Sequence, residues 1–245
     1  MHNPFRRWFG GSRERDGWAA ASDWALANGH RFARSSDGSG FVIEAGQGAA
    51  AWRLEWGTSQ RHYIRGPELR LRAEVGATGD LQMLIATRAL MTLLEQQVYE
   101  EFTESNQTRM DDNTPEEMRW LVLYPKVPRA ELGALRERFG ALSNLPRAAL
   151  LWLDASLVQQ LDASATWLAA DTPLALVLQR GRLTLRCAQA EPALTALQGA
   201  LGLFAAALAA ARRVADELAR GTIGAGRPST WGPPSAMPAV DPNAG

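Results

Sequence analysis

Several short stretches of this chain alternate apolar and polar residues, while two long stretches repeat their apolar residues every three or four positions. Trp52-Arg53-Leu54-Glu55-Trp56 alternates, as do Arg61-His62-Tyr63-Ile64-Arg65 and Glu68-Leu69-Arg70-Leu71-Arg72-Ala73-Glu74-Val75. Successive side chains on a strand point to opposite faces, so this pattern predicts a half-buried antiparallel sheet. Residues 31–34 and 41–44 predict a hairpin across Asp37-Gly38-Ser39-Gly40, where Asp-Gly supplies the positive φ of a tight turn. The glycines of this region have strand-like segments on both sides. That excludes a phosphate loop, which must join a strand to a helix N-terminus.

Helical spacing appears next. Leu84, Met91, Leu94, Val98 and Phe102 recur at three, four or seven, predicting a helix over Leu81–Phe102 capped by Asp80. A shorter helix is expected over Trp18–Asn28, capped by Asp16 and stopped by Gly29. Thr114-Pro115-Glu116-Glu117 has the order of a capping box with proline at the first helical position. Arg119–Tyr124 reads as a buried strand, Ala130–Phe139 as a helix, and Ala148–Leu153 fits a strand or a helix equally.

Leu174–Leu178 and Arg182–Arg186 flank Arg180-Gly181 and predict a second hairpin, leading to a long helix over Pro192–Arg220. Leu178-Gln179-Arg180-Gly181 and Leu183-Thr184-Leu185-Arg186 echo Tyr63-Ile64-Arg65-Gly66 and Leu69-Arg70-Leu71-Arg72. The fold class expected is α+β: antiparallel hairpins packed against two long amphipathic helices, with the echo suggesting two pseudo-repeated β-then-α halves. The boundaries read as a basic, aromatic arm (1–16), two halves (17–112 and 113–220) and a Gly/Pro/Ser-rich disordered tail (221–245).

Leu194, Leu197, Leu201, Phe204 and Leu208 form one stripe of bulky residues on the last helix, with small alanines beside it. A lipid-facing span would be bulky all round, so the stripe reads as a helix-packing interface and not as a membrane crossing. Phe5, Trp8 and Phe9 beside Arg6 and Arg7 leave peripheral membrane association open to the arm.

Formal net charge is zero, with 46% apolar and 21% charged residues, so no global field draws the chain to nucleic acid or to an anionic membrane. Cys187 is the only cysteine, which excludes an internal disulfide and a cysteine zinc site; it reads as a small buried hydrophobe. The N-terminus lacks the apolar core of a secretory signal, and the cytoplasm is the expected location. A single lysine, Lys126, among many arginines and alanines reads as the codon bias of a GC-rich bacterial genome. No metal, nucleotide or hydrolase motif is present, so no cofactor, metal or catalytic residue is assigned.

One constellation carries chemistry. If the leucines point inward, Arg53, Arg61, Tyr63, Arg65, Arg70, Arg72, Arg182 and Arg186 share the outer face of the sheet. Guanidinium groups in such a row suit carboxylates or phosphates. The function expected is therefore a non-enzymatic protein-interaction or scaffold module, using this face and the leucine-striped helix to dock a protein partner or a second copy. A binder of phosphate or anionic headgroups is the alternative, and an enzyme with an unrecognised carboxylate site the third. Nucleic acid is disfavoured, because the face has one aromatic and no basic excess surrounds it.

Overall fold

A computed structural model describes residues 10–104 and 115–223. Its centre is the pairing of β4 (Pro67–Glu74) with β8 (Arg182–Ala188), which sets Leu71 opposite Leu185 and Arg70 opposite Arg186. Outward on one side come β3 (Trp52–Thr58), β2 (Phe41–Ala45) and β1 (Arg31–Arg34); on the other come β7 (Leu174–Gln179), β5 (Met83–Thr87) and β6 (Phe139–Ser143). All eight strands pair antiparallel in the order β1-β2-β3-β4-β8-β7-β5-β6. The α+β class holds.

One face of this sheet is apolar along its whole width. Ile43, Leu54, Trp56, Leu69, Leu71, Leu183, Leu185, Leu176 and Ile85 form a single core with α6 (Leu194–Ala219) and Trp18, Ala21 and Ala25 of α1 (Gly10–Ala27). The short helices α4 (Pro146–Trp152) and α5 (Ala155–Ala163) complete that layer. Asp154 caps α5 by accepting from the Leu157 amide at 2.8 Å, and the buried Trp152 indole donates to the Ala207 carbonyl at 2.9 Å. Burial of the indole would otherwise leave its N–H unsatisfied.

The opposite face is divided. Over β5, β6 and β7 it is apolar, and α2 (Arg88–Glu104) and α3 (Glu116–Leu123) cover it through Leu90, Met91, Leu94, Met118 and Trp120. Over β1–β4 and β8 it is charged, and no helix among the described residues lies on it. This division positions the candidate site.

Several sequence expectations change here. The stretch Met83–Thr87 is a strand buried on both faces, so it shows no alternation and merges with the helix that follows it. Residues 119–123 belong to α3 instead of a strand. Residues 61–65 form a turn in which the neighbours Tyr63 and Ile64 are both buried. Gly133–Glu137 is a 3-10 turn leading into β6, and 148–152 is helical. Among the described residues α1 spans Gly10–Ala27, beyond the Trp18 start that the sequence suggests.

The echo is not confirmed as a pseudo-repeat by the topology. α2 follows β5 on one face, whereas α6 follows β8 directly on the other, and strands from 17–112 and 113–220 interleave in one sheet. Residues 1–9 of the arm, Thr114 of the capping box and the tail beyond Ile223 lie outside the described residues.

Candidate functional site

The charged half of the sheet follows from strand register. Arg31 stands opposite Glu44, Glu44 opposite Arg53, and Arg53 opposite Arg72; in the adjacent row Glu55 stands opposite Arg70, and Arg70 opposite Arg186. Cross-strand neighbours on one face come within reach of long side chains, so opposite charges pair and like charges crowd. Glu44 takes Arg53 Nη1 at 2.6 Å and also pairs with Arg31. Glu55 gathers three guanidinium groups: Arg53, Arg70, and Arg72 through Nη2 at 2.7 Å. Arg182 pairs with Glu74 at 2.8 Å.

Cations outnumber anions on these strands. Arg31, Arg53, Arg70, Arg72, Arg182 and Arg186 face Glu44, Glu55, Glu68 and Glu74. Arg70 is the point where the imbalance concentrates. Its Nε is buried and has no hydrogen-bond partner. Burial, followed by the charges of Arg186, Arg72 and Arg53, lowers its pKa to about 10. Burial and then Arg53 push Arg72 the same way. A carboxylate or phosphate brought to this cluster would relieve the crowding.

The inner border of the face is sealed. Glu68 is 2% exposed; it accepts Arg186 Nη1 at 2.5 Å and the Gln60 amide at 2.9 Å, and lies 3.2 Å from Ser59 Oγ. Glu117 of α3 is equally buried and accepts Arg61 Nε at 2.6 Å and the Tyr63 hydroxyl at 2.7 Å. Burial opposes the Glu117 charge, but the hydrogen bond and charge of Arg61 and the bond from Tyr63 hold its pKa below the ordinary value. Burial, and then Glu117, push Tyr63 well up, so its hydroxyl stays a donor. These contacts lock the turn after β3 and the start of α3 onto the sheet.

Among the described residues, hollows of four sizes open on this side. Arg53 borders three of them, of about 240, 350 and 380 Å³, the first shared with Arg70 and Glu55 and the last with Arg72 and Arg182. The fourth, about 340 Å³, lies between the β7–β8 turn and the start of α3.

Five of the arginines expected on one face are there: Arg53, Arg70, Arg72, Arg182 and Arg186. Arg61 reaches the border through Glu117, and Arg65 is exposed on the turn. Tyr63 is not on the outer face, being 3% exposed because its turn folds inward. The sequence reading overlooked the partners Glu44, Glu55 and Glu117; the Arg53-Leu54-Glu55 spacing already put a cation and an anion on one face.

The leucine stripe is not free for a partner. Leu197, Phe204 and Leu208 are buried in the chain's own core, Leu201 packs against it and Leu194 is half-buried. Releasing one such side chain would forfeit about 1.5–3 kcal/mol. α6 is long and apolar enough to cross a bilayer by length and composition, with half of its most apolar window buried inside the chain.

Among the described residues no His, Cys, Asp and Glu side chains group as a metal site. His62 is exposed, with its ring edge-on to Tyr63. Comparison with protein-family models, curated proteins and solved structures found no match to this chain.

Proposed function

We propose that this protein is a non-enzymatic protein-interaction module whose open, charged sheet face docks an acidic segment of a partner protein. The single observation that supports this most is Arg70: a half-buried guanidinium with an unpartnered Nε, beside the charges of Arg53, Arg72 and Arg186 and sharing Glu55 with Arg53 and Arg72. A partner carboxylate completes the pattern that Glu55 alone leaves short. The corrugation around Arg53 gives side chains of an extended segment places to enter.

The test is binding of a labelled oligo-glutamate peptide to the full chain, read by fluorescence anisotropy against an oligo-serine control. Arg53→Ala combined with Arg72→Ala is expected to weaken binding by about tenfold or more, since each charge-assisted bond contributes roughly 1.5–3 kcal/mol. The affinity should fall with added salt. Equal binding of both peptides, or no effect of the double variant, would overturn the proposal.

A further inference from the structure

The hollow of about 340 Å³ beside the β7–β8 turn is a second concavity, which Arg53, Arg70 and Arg72 do not line and which shares Arg182 with the hollow beside Arg72. Its lining includes four guanidinium groups, Arg61, Arg180, Arg182 and Arg186, against two carboxylates, Glu116 and Glu117. Glu117 is already committed to Arg61 and Tyr63. Arg186 uses only Nη1 on Glu68, while the Thr184 hydroxyl and the Gln179 side-chain carboxamide make no hydrogen bond with another described residue. The remaining ion pairs are exposed. Arg180 meets Glu116 at a long 3.4 Å and Arg182 meets Glu74 at 2.8 Å, with both arginine side chains more than half exposed. Exposed pairs of this kind hold little energy and yield readily to a stronger anion.

The turn itself carries an independent signal. Gln179 pairs with Arg182, so Arg180 and Gly181 are the two central residues of the hairpin, at φ 50° and 72°. Positive φ at both positions is the geometry that favours Asn-Gly. Arg180 is the only non-glycine residue with positive φ among those described. A long cation sits where a short residue would fit more comfortably, and such local strain clusters where a side chain is used.

We infer that this hollow binds a phosphoryl group, held by Arg180, Arg182 and Arg186 with Thr184 and Gln179 completing its hydrogen bonds. The bidentate geometry of guanidinium suits a tetrahedral dianion, and the volume leaves room for a carbon body attached to it. Val177 supplies an apolar wall for that body.

Isothermal titration of the full chain with inorganic phosphate and with glycerol phosphate, at fixed ionic strength against chloride, tests this. Saturable binding of either is expected; tighter binding of the ester identifies an esterified phosphate, and tighter binding of the ion identifies free phosphate. Arg180→Gly, which suits the turn's φ, and Arg182→Gln should each weaken binding by about tenfold. Arg53→Ala with Arg72→Ala should leave it unchanged, so this site and the docking face stand or fall separately. No saturable binding, or affinity unaltered in both hollow variants, would overturn the inference.

Discussion

Arg186 and Glu68 form an ion pair between β8 and β4 at 2.5 Å, with both side chains nine-tenths buried or more. A buried pair has already given up its hydration, so removing one member strands the other. Glu68→Leu is therefore expected to lower unfolding stability by about 3–5 kcal/mol in urea titrations, through an uncompensated guanidinium. Glu68→Leu with Arg186→Leu should lose distinctly less than the two single changes together. Additive losses would mean that the two groups do not depend on each other.

Glu117 gives an acid-side signature. Its folded pKa lies below the ordinary 4.5, so above 4.5 its charged interactions contribute fully to stability. As pH falls below 4.5 the unfolded chain takes up the proton first, and stability declines until Glu117 protonates in the folded state as well. Glu117→Gln should flatten this decline and lower stability at pH 7. Denaturant midpoints across that range measure both effects.

Gly40 sits where β2 begins, and a Cβ there would stand 2.0 Å from the Trp56 carbonyl oxygen. Because the obstacle is backbone, the strands must separate to make room. Gly40→Ala is expected to destabilise by roughly 1–3 kcal/mol or more, seen as a lower thermal midpoint.

Cys187 is fully buried, and burial raises its thiol to about 12. The thiolate is the reactive form. A maleimide probe at pH 7 should label the native protein only as fast as the chain opens, and the denatured protein at once. Rapid labelling of the native state would show that β8 is not held against α6 as described.

Alternation makes β3, β4 and β8 legible, because each has one apolar face in the core and one charged face outside, while β2 and β7 are legible from the Asp37-Gly38 and Arg180-Gly181 turns beside them. β5 was not, since Met83–Thr87 is buried on both sides and offers no period to read. Only the second half of α3 reads as a strand, because Trp120-Leu121-Val122-Leu123 is a continuous apolar run; in the helix Trp120 and Leu121 are buried, while Val122 and Leu123 face outward. The arginine side of β4 and β8 was readable from Leu-x-Leu spacing alone. Its electrostatic character was not, because the Glu55 and Glu68 pairings depend on which strands become neighbours, and β4 meets β8 across more than a hundred residues of chain. The leucine stripe of α6 shows the same limit: spacing reveals an apolar face, and only the sheet's extent decides that the chain covers it itself.

The docking role of the charged face is tested most directly by amide chemical-shift mapping of the full chain during titration with an oligo-glutamate peptide. The expected shifts fall on Val42–Glu44, Arg53–Glu55 and Arg70–Arg72, and fade as salt is added. Shifts confined to the outer sides of α2 and α3, around Tyr99, Val122 and Leu123, would contradict it.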